Sequence, residues 1–163
     1  MAYTMNNYGL DKMRYYNSDK PPRFQKYYMI WRMLFALSKK KNHIDLFYKT
    51  QIGPGLYIGH PYGITINADS KIGSNVNIHK GVTIGQENRG KRVGAPTISN
   101  DVWIGINSTI VGKITIGDDV LIAPNSFVNC DVPSHSIVVG NPCIIRHNEN
   151  ATAGYIENRC QIY

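Results

Sequence analysis

The chain has 163 residues, 42% of them hydrophobic, and a formal charge of +7; that is one domain's length, with no apolar run near the roughly 20 residues a membrane span needs. The charge is confined to one end: residues 1–49 hold ten Lys or Arg against three acids, and the remainder is balanced, which argues against a nucleic-acid-binding face on the rest of the chain. Cys130, Cys143 and Cys160 stand at no metal or redox spacing and read as reduced thiols of the cytoplasm, and the polar start from Met1 to Gly9 has no secretory signal pattern.

In chain order, residues 1–20 are polar, rich in Tyr and Asn, and give no assignment. Past Pro21 and Pro22, apolar residues at Tyr27, Ile30, Trp31, Leu34, Phe35 and Leu37 fall mostly at helical spacing. Lys39, Lys40 and Lys41 then suit a helix C-terminus. One helix over 23–41 is expected, with its apolar face covering the open edge of the fold that follows. A basic amphipathic helix making peripheral contact with an anionic membrane is the alternative.

From Ile52 an aliphatic residue returns every sixth position. Ile52 and Ile58 keep the step, Ile66, Ile72, Ile78 and Ile84 resume it, and Ile98, Ile104, Ile110, Ile116, Ile122 and Val128 carry it to the end. A period of six fits neither a helix nor simple strand alternation, so each unit is a short strand plus a turn. Three units close one triangular coil, and stacked coils place the aliphatics in a continuous interior ladder about 4.8 Å apart. A β-sandwich is the rival, but its strands recur at about 8–12 residues.

Two places break the register. Ile58 to Ile66 is two residues too long, within GHPYGITIN, and Ile84 to Ile98 leaves a loop over 86–96 carrying Arg89, Lys91 and Arg92. Departures from register cost ladder contacts, so both mark function. The stack is expected to end near Pro133, with GNPCII turning the chain into a polar tail that has at most a short helix. This gives an all-β domain over 45–142, an N-terminal helical arm over 1–44 and a tail over 143–163.

The run IGPGLYIGHPYGITINADSKIGSNVNIHKGVTIG, the loop, and then GAPTISNDVWIGINSTIVGKITIGDDVLIAPNSFVNCDVPSHSIVVGNP resemble the hexapeptide-repeat acyltransferases, and among them the serine acetyltransferase-like branch. The resemblance implies a left-handed parallel β-helix, assembly as a homotrimer, and acetyl-CoA lying between neighbouring subunits, without a metal. It makes His60, at the first register break, the general base, and Asp45 the carboxylate that orients its ring. A neutral imidazole is the usual group for taking a hydroxyl proton, and a carboxylate is its usual partner. The resemblance places pantetheine contacts near Gly85, Gly105, Ile106 and Ala123, and Arg89, Lys91 and Arg92 are candidates for the cofactor phosphates. The bland readings are a corner histidine for His60, a cap for Asp45 and a solvated loop for the three basic residues. His79, just after the ladder residue Ile78, points outward and is structural or lines the cleft.

The acceptor side departs from the family. Serine acetyltransferases carry a long helical N-terminal domain, an Asp directly before the catalytic His, and an Arg-His pair that grips the amino-acid carboxylate. This chain has a short arm, Gly59 before His60, and Gly94 and Ala95 in place of the pair. The expectation is therefore an O-acetyltransferase acting on a sugar hydroxyl of a surface or capsular polysaccharide precursor, with L-serine as the alternative acceptor. A zinc hydratase on the same coil would need three clustered His, which the spacing of His43, His60, His79, His135 and His147 does not offer. A non-catalytic scaffold would have uninterrupted faces.

Overall fold

The computed structural model describes residues 3–4, 22–157 and 159–160. After β1 (Tyr3–Thr4) comes α1 (Pro22–Asn42), which has Pro at its first position and Lys39, Lys40 and Lys41 in its last turn. The first coil is β2 (Ile44–Leu46), β3 (Gln51–Ile52) and β4 (Tyr57–Gly59). The second is β5 (Ile64–Ile66), β6 (Lys71–Ile72) and β7 (Asn77–His79). The third is β8 (Thr83–Gly85), β9 (Thr97–Ile98) and β10 (Val102–Ile104), and the fourth is β11 (Thr109–Val111), β12 (Thr115–Ile116) and β13 (Val120–Ile122). The chain closes with β14 (Phe127–Val128), β15 (Ser136–Val139) and β16 (Ile144–His147).

Equivalent strands stack in parallel into three faces, giving the left-handed parallel β-helix expected. The interior ladder reads Leu46, Ile66, Ile84, Ile110, Val128 on the first face, where each residue sits opposite the next. On the second it reads Ile52, Ile72, Ile98, Ile116, Val132. On the third it is Ile58, Ile78, Ile104, Ile122, Val138. All fifteen are buried, each contributing on the order of 1.5–3 kcal/mol of apolar transfer. In the regular units the residue four places after the aliphatic also turns inward, as at Val76, Val82, Val102 and Val120; Ser108 and Ser126 are buried there, and both hydroxyls donate to the Ala123 carbonyl.

Both register breaks fall at corners. The extra residues after Ile58 lie at the turn from β4 to β5, and the 86–96 loop lies between β8 and β9 with Val93 exposed outside the ladder. The stack does not end at Pro133. Val132 replaces the expected sixth-position residue, which shortens one step, and β15 adds a further strand whose Val138 fills the ladder. The tail then contributes β16, antiparallel to β15, and its described residues contain no helix.

The arm also differs from expectation. Phe35 packs partly against the core, but Met29, Ile30, Met33, Leu34 and Leu37 are exposed, so the helix does not lay a full apolar face on the first coil. The side chains of Tyr27 and Trp31 lie outside the described residues. On the third face, β1 pairs antiparallel with β4 and covers that edge. Among the described residues no helix is long and apolar enough to cross a membrane.

Beyond β16, residues 150–157 and 159–160 run back along the corner between the second and third faces as a strap. That corner is turned by Gly55, Asn75, Asp101, Asp119 and His135, all at positive φ, a conformation that Gly adopts freely and Asn or Asp tolerates. Three of these corner side chains hold the strap. Asp119 accepts from the backbone of Ala151 and Thr152 at 3.1 and 2.9 Å and from the Thr152 hydroxyl, while His135 Nδ1 lies 3.0 Å from it. Asp101 accepts from Arg159 at 2.7 Å, and Asn75 Oδ1 from the Cys160 N–H at 2.7 Å.

Candidate functional site

His60 stands at the corner between the third and first faces of the first coil, where later coils turn on Gly81, Asn107 and Asn125, each three residues after its ladder aliphatic and each at positive φ. In the first coil His60 itself takes a positive φ of 54° and Gly63 a second, of 64°. The two extra residues thus lift the segment off the coil and leave the His60 side chain exposed. A nitrogen held outward at a protruding turn is available for proton transfer, in contrast to a histidine locked into the ladder.

Asp45 projects outward from β2, opposite Thr65 on β5, and its carboxylate accepts from Lys39 Nζ at 2.7 Å. Among the described residues no hydrogen bond joins it to His60. A cavity of about 580 Å³ runs beside it between α1 and the first face, lined by Ala36, Lys39, His43, Asp45, Gly63 and Thr65. The structure thus brings Asp45 and Gly63, of the raised corner, to one cavity, with the Lys39 ammonium between helix and coil.

The other predicted site residues spread along the stack. Gly85 is half-buried at the end of β8, opposite Val111. The backbone of Gly105 is spent internally, its N–H on Ile122 and its carbonyl on Ser108, and a Cβ there would stand 2.6 Å from the Pro124 nitrogen. Ala123 is likewise engaged, its N–H on Val138 and its carbonyl on two serine hydroxyls. The Ile106 carbonyl accepts from Asn125. Arg89 and Lys91 are exposed on the loop, whereas Arg92 is held by Glu87 at 3.1 Å. Of these predicted contacts, the backbone of Gly105 and Ala123 is thus engaged within the coil, while the Arg89 and Lys91 side chains stand exposed. Among the described residues no group of three His, Cys, Asp or Glu gathers as a metal site would require.

Sequence reasoning missed the surroundings of His79. Its ring lies directly over Gly59, where a Cβ would come within 2.5 Å of Nδ1. It continues a row of rings across the third face, 6.3 Å from Tyr57 and 4.7 Å from Trp103, which in turn lies 4.9 Å from Tyr155 of the strap. Burial, and next the nearby charge of His60, hold the His79 imidazole below the usual histidine range. The Gly59 next to an aromatic-spaced Tyr57, His79 and Trp103 on equivalent strands was the available signal. Tyr155 carries none.

The family of bacterial transferase hexapeptides (six repeats) matches residues 95–130. A serine acetyltransferase of Helicobacter pylori is 36% identical over 117 residues, covering 72% of this chain and 68% of the relative. Among solved structures, soybean serine acetyltransferase complexed with serine matches with a TM-score of 0.65 at 30% identity, over 75% of this chain and 50% of that one. The serine acetyltransferase of Brucella abortus in complex with coenzyme A matches with a TM-score of 0.70 at 25% identity, over 90% and 57%. The chain thus spans about half the length of the solved structures it matches. With the stacked coils, the raised His60 corner and these similarities together, the chain belongs to the hexapeptide-repeat acyltransferases, in their serine acetyltransferase-like branch.

Proposed function

We propose that this protein is an acetyl-CoA-dependent O-acetyltransferase in which His60 is the general base. The observation that carries the reading is the inserted corner that holds His60 outward in a chain of this branch. The neutral imidazole takes the proton of the acceptor hydroxyl as its oxygen attacks the thioester carbonyl. The tetrahedral oxyanion collapses, the C–S bond breaks, and the imidazolium returns its proton to the departing thiolate. Asp45 orients the ring. Its bond to Lys39 joins two partly exposed groups, an interaction worth only about 0–1 kcal/mol, so the carboxylate exchanges partners at little cost. Arg89 and Lys91 meet the cofactor phosphates, and a homotrimer is the active unit.

The relatives favour L-serine as acceptor, since they are named serine acetyltransferases and one is solved with serine. This displaces the sugar hydroxyl to second place. One observation keeps that second reading: where the resemblance puts a carboxylate and an Arg-His pair, this chain has Gly59 under an imidazole and Gly94 and Ala95, with the Lys113 alkyl chain against Gly94. Thiol release from acetyl-CoA decides between them. Turnover with L-serine that His60→Ala abolishes establishes the first reading; inert serine with His60-dependent release on a free or nucleotide-linked sugar establishes the second. Release that survives His60→Ala refutes the assignment of the base.

A further inference from the structure

The strap and the third face enclose a second cavity of about 300 Å³, lined by Tyr57, Asn77, His79, Trp103, Tyr155 and Glu157. Four of these present aromatic rings in one row, mutually tilted by 49–61°. Asn77 Nδ2 donates one of its two N–H groups to the Tyr155 carbonyl at 3.2 Å. That bond also fixes the strap's ring against the sheet.

The charge of the cavity is one-sided. Glu157 supplies a carboxylate, and the strap's Arg159 is engaged on Asp101 at 2.7 Å. Burial first, and then His60, push the His79 imidazole below the usual histidine range, which favours its neutral, π-rich form. Its Nε2 is buried without a hydrogen-bond partner. A pocket lined by aromatic rings with one carboxylate attracts a cation with apolar substituents, because the ring quadrupoles and the carboxylate both favour positive charge.

From this juxtaposition of Tyr57, His79, Trp103 and Tyr155 with Glu157, we infer that the cleft under the strap is a binding site for an organic ammonium group. The site stands apart from the acyl-transfer reading, since binding there is measured without turnover. Two sources carry such a group, a free amino acid and an amino sugar.

Trp103 reports on the cleft once the chain's other tryptophan is removed by Trp31→Phe. In that background, choline is titrated against its neutral carbon isostere 3,3-dimethylbutan-1-ol. The expected result is a saturable change in Trp103 emission with choline alone, weakened about five- to tenfold by Glu157→Gln and also by Tyr155→Leu. Both substitutions are at exposed positions of the strap. Displacement of choline by glucosamine but not L-serine assigns the amino-sugar source, and the reverse assigns the amino acid. An equal response to choline and the isostere, no saturation with choline, or unchanged affinity in Glu157→Gln overturns the proposal. Loss of acetyl transfer in His60→Ala with choline binding intact separates the two sites.

Discussion

Gly59 is held to glycine by one contact, and a double-mutant cycle tests it. A Cβ at residue 59 would stand 2.5 Å from His79 Nδ1, 2.7 Å from its Cε1 and 3.3 Å from Tyr57 Cε1. The imidazole cannot simply swing aside, because Trp103 packs on it at 4.7 Å and Tyr57 stands at 6.3 Å. Gly59→Ala must therefore push the ring off Trp103, combining overpacking of about 1–3 kcal/mol with loss of an aromatic contact worth about 0.5–1.5 kcal/mol. We expect a destabilisation of about 2 kcal/mol, a fall in Tm of roughly 5 °C for a chain of this size. His79→Ala removes the obstacle, so adding Gly59→Ala to it should cost less than about 0.5 kcal/mol, a coupling of at least about 1.5 kcal/mol. Urea unfolding followed by circular dichroism measures all four corners of the cycle. Equal effects of Gly59→Ala with and without the His79 ring would refute the contact as the reason for glycine. The same contact predicts that Gly59→Asp, restoring the carboxylate of the longer relatives, is tolerated only when His79 is also reduced.

Ile104 sits fully buried in the middle of the third-face ladder, between Ile78 and Ile122; Ile104→Ala should cost roughly 3–4 kcal/mol in urea unfolding. By histidine ring NMR, His79 should titrate below the ordinary value of 6.5, and His135, which gains the Asp119 carboxylate, above it. For His79 the unfolded chain binds the proton more readily, so the stability it contributes is full above pH 6.5 and is lost as pH falls through its folded pKa. On the loop, Arg89→Ala and Lys91→Ala should each raise the KM for acetyl-CoA severalfold in a salt-sensitive way, and Arg92→Ala should do less because its guanidinium is tied to Glu87; equal effects of all three would show that exposure does not select the phosphate ligands.

The coil was legible because every turn of it repeats the same burial problem. An Ile at each sixth position fills the same interior site, so the period survives without knowledge of any single contact. Register errors were legible for the same reason: extra residues in a stack can only leave it, and they do so at His60 and at 86–96. A second period was present and unread. Gly55, Asn75, Gly81, Asp101, Asn107, Asp119, Asn125 and His135 each follow a ladder aliphatic by three, and each has a positive φ. That spacing marks two of the three corners as left-handed turns, and it would have carried the stack past Pro133 through Val132 and His135.

The strap has no such signature, because nothing in it repeats. Its attachment is a set of single bonds to a distant backbone, from the corner side chains Asp119 (Ala151 and Thr152) and Asn75 (Cys160) and from Asn77 of β7 (Tyr155). Yet the corners determine where it can lie. A left-handed turn built on Gly offers no side chain, whereas Asn75, Asp101 and Asp119 present an acceptor at successive levels of one edge. Glycine at all three positions would turn the chain equally well and leave the strap's N–H groups unanswered. The choice of Asp and Asn on this corner thus couples the coil's local geometry to the closing of the third face, and with it to the aromatic cleft that includes Tyr155 and Glu157. Asp119 shows the size of the commitment. Burial raises its pKa, but the bonds from Thr152, His135 and Ala151 outweigh that and hold it below the ordinary carboxylate value. Its contribution is present above that ordinary value and is lost as pH falls through the folded one, so acid releases the strap from this anchor while the apolar ladder, which has no titrating group, stays closed.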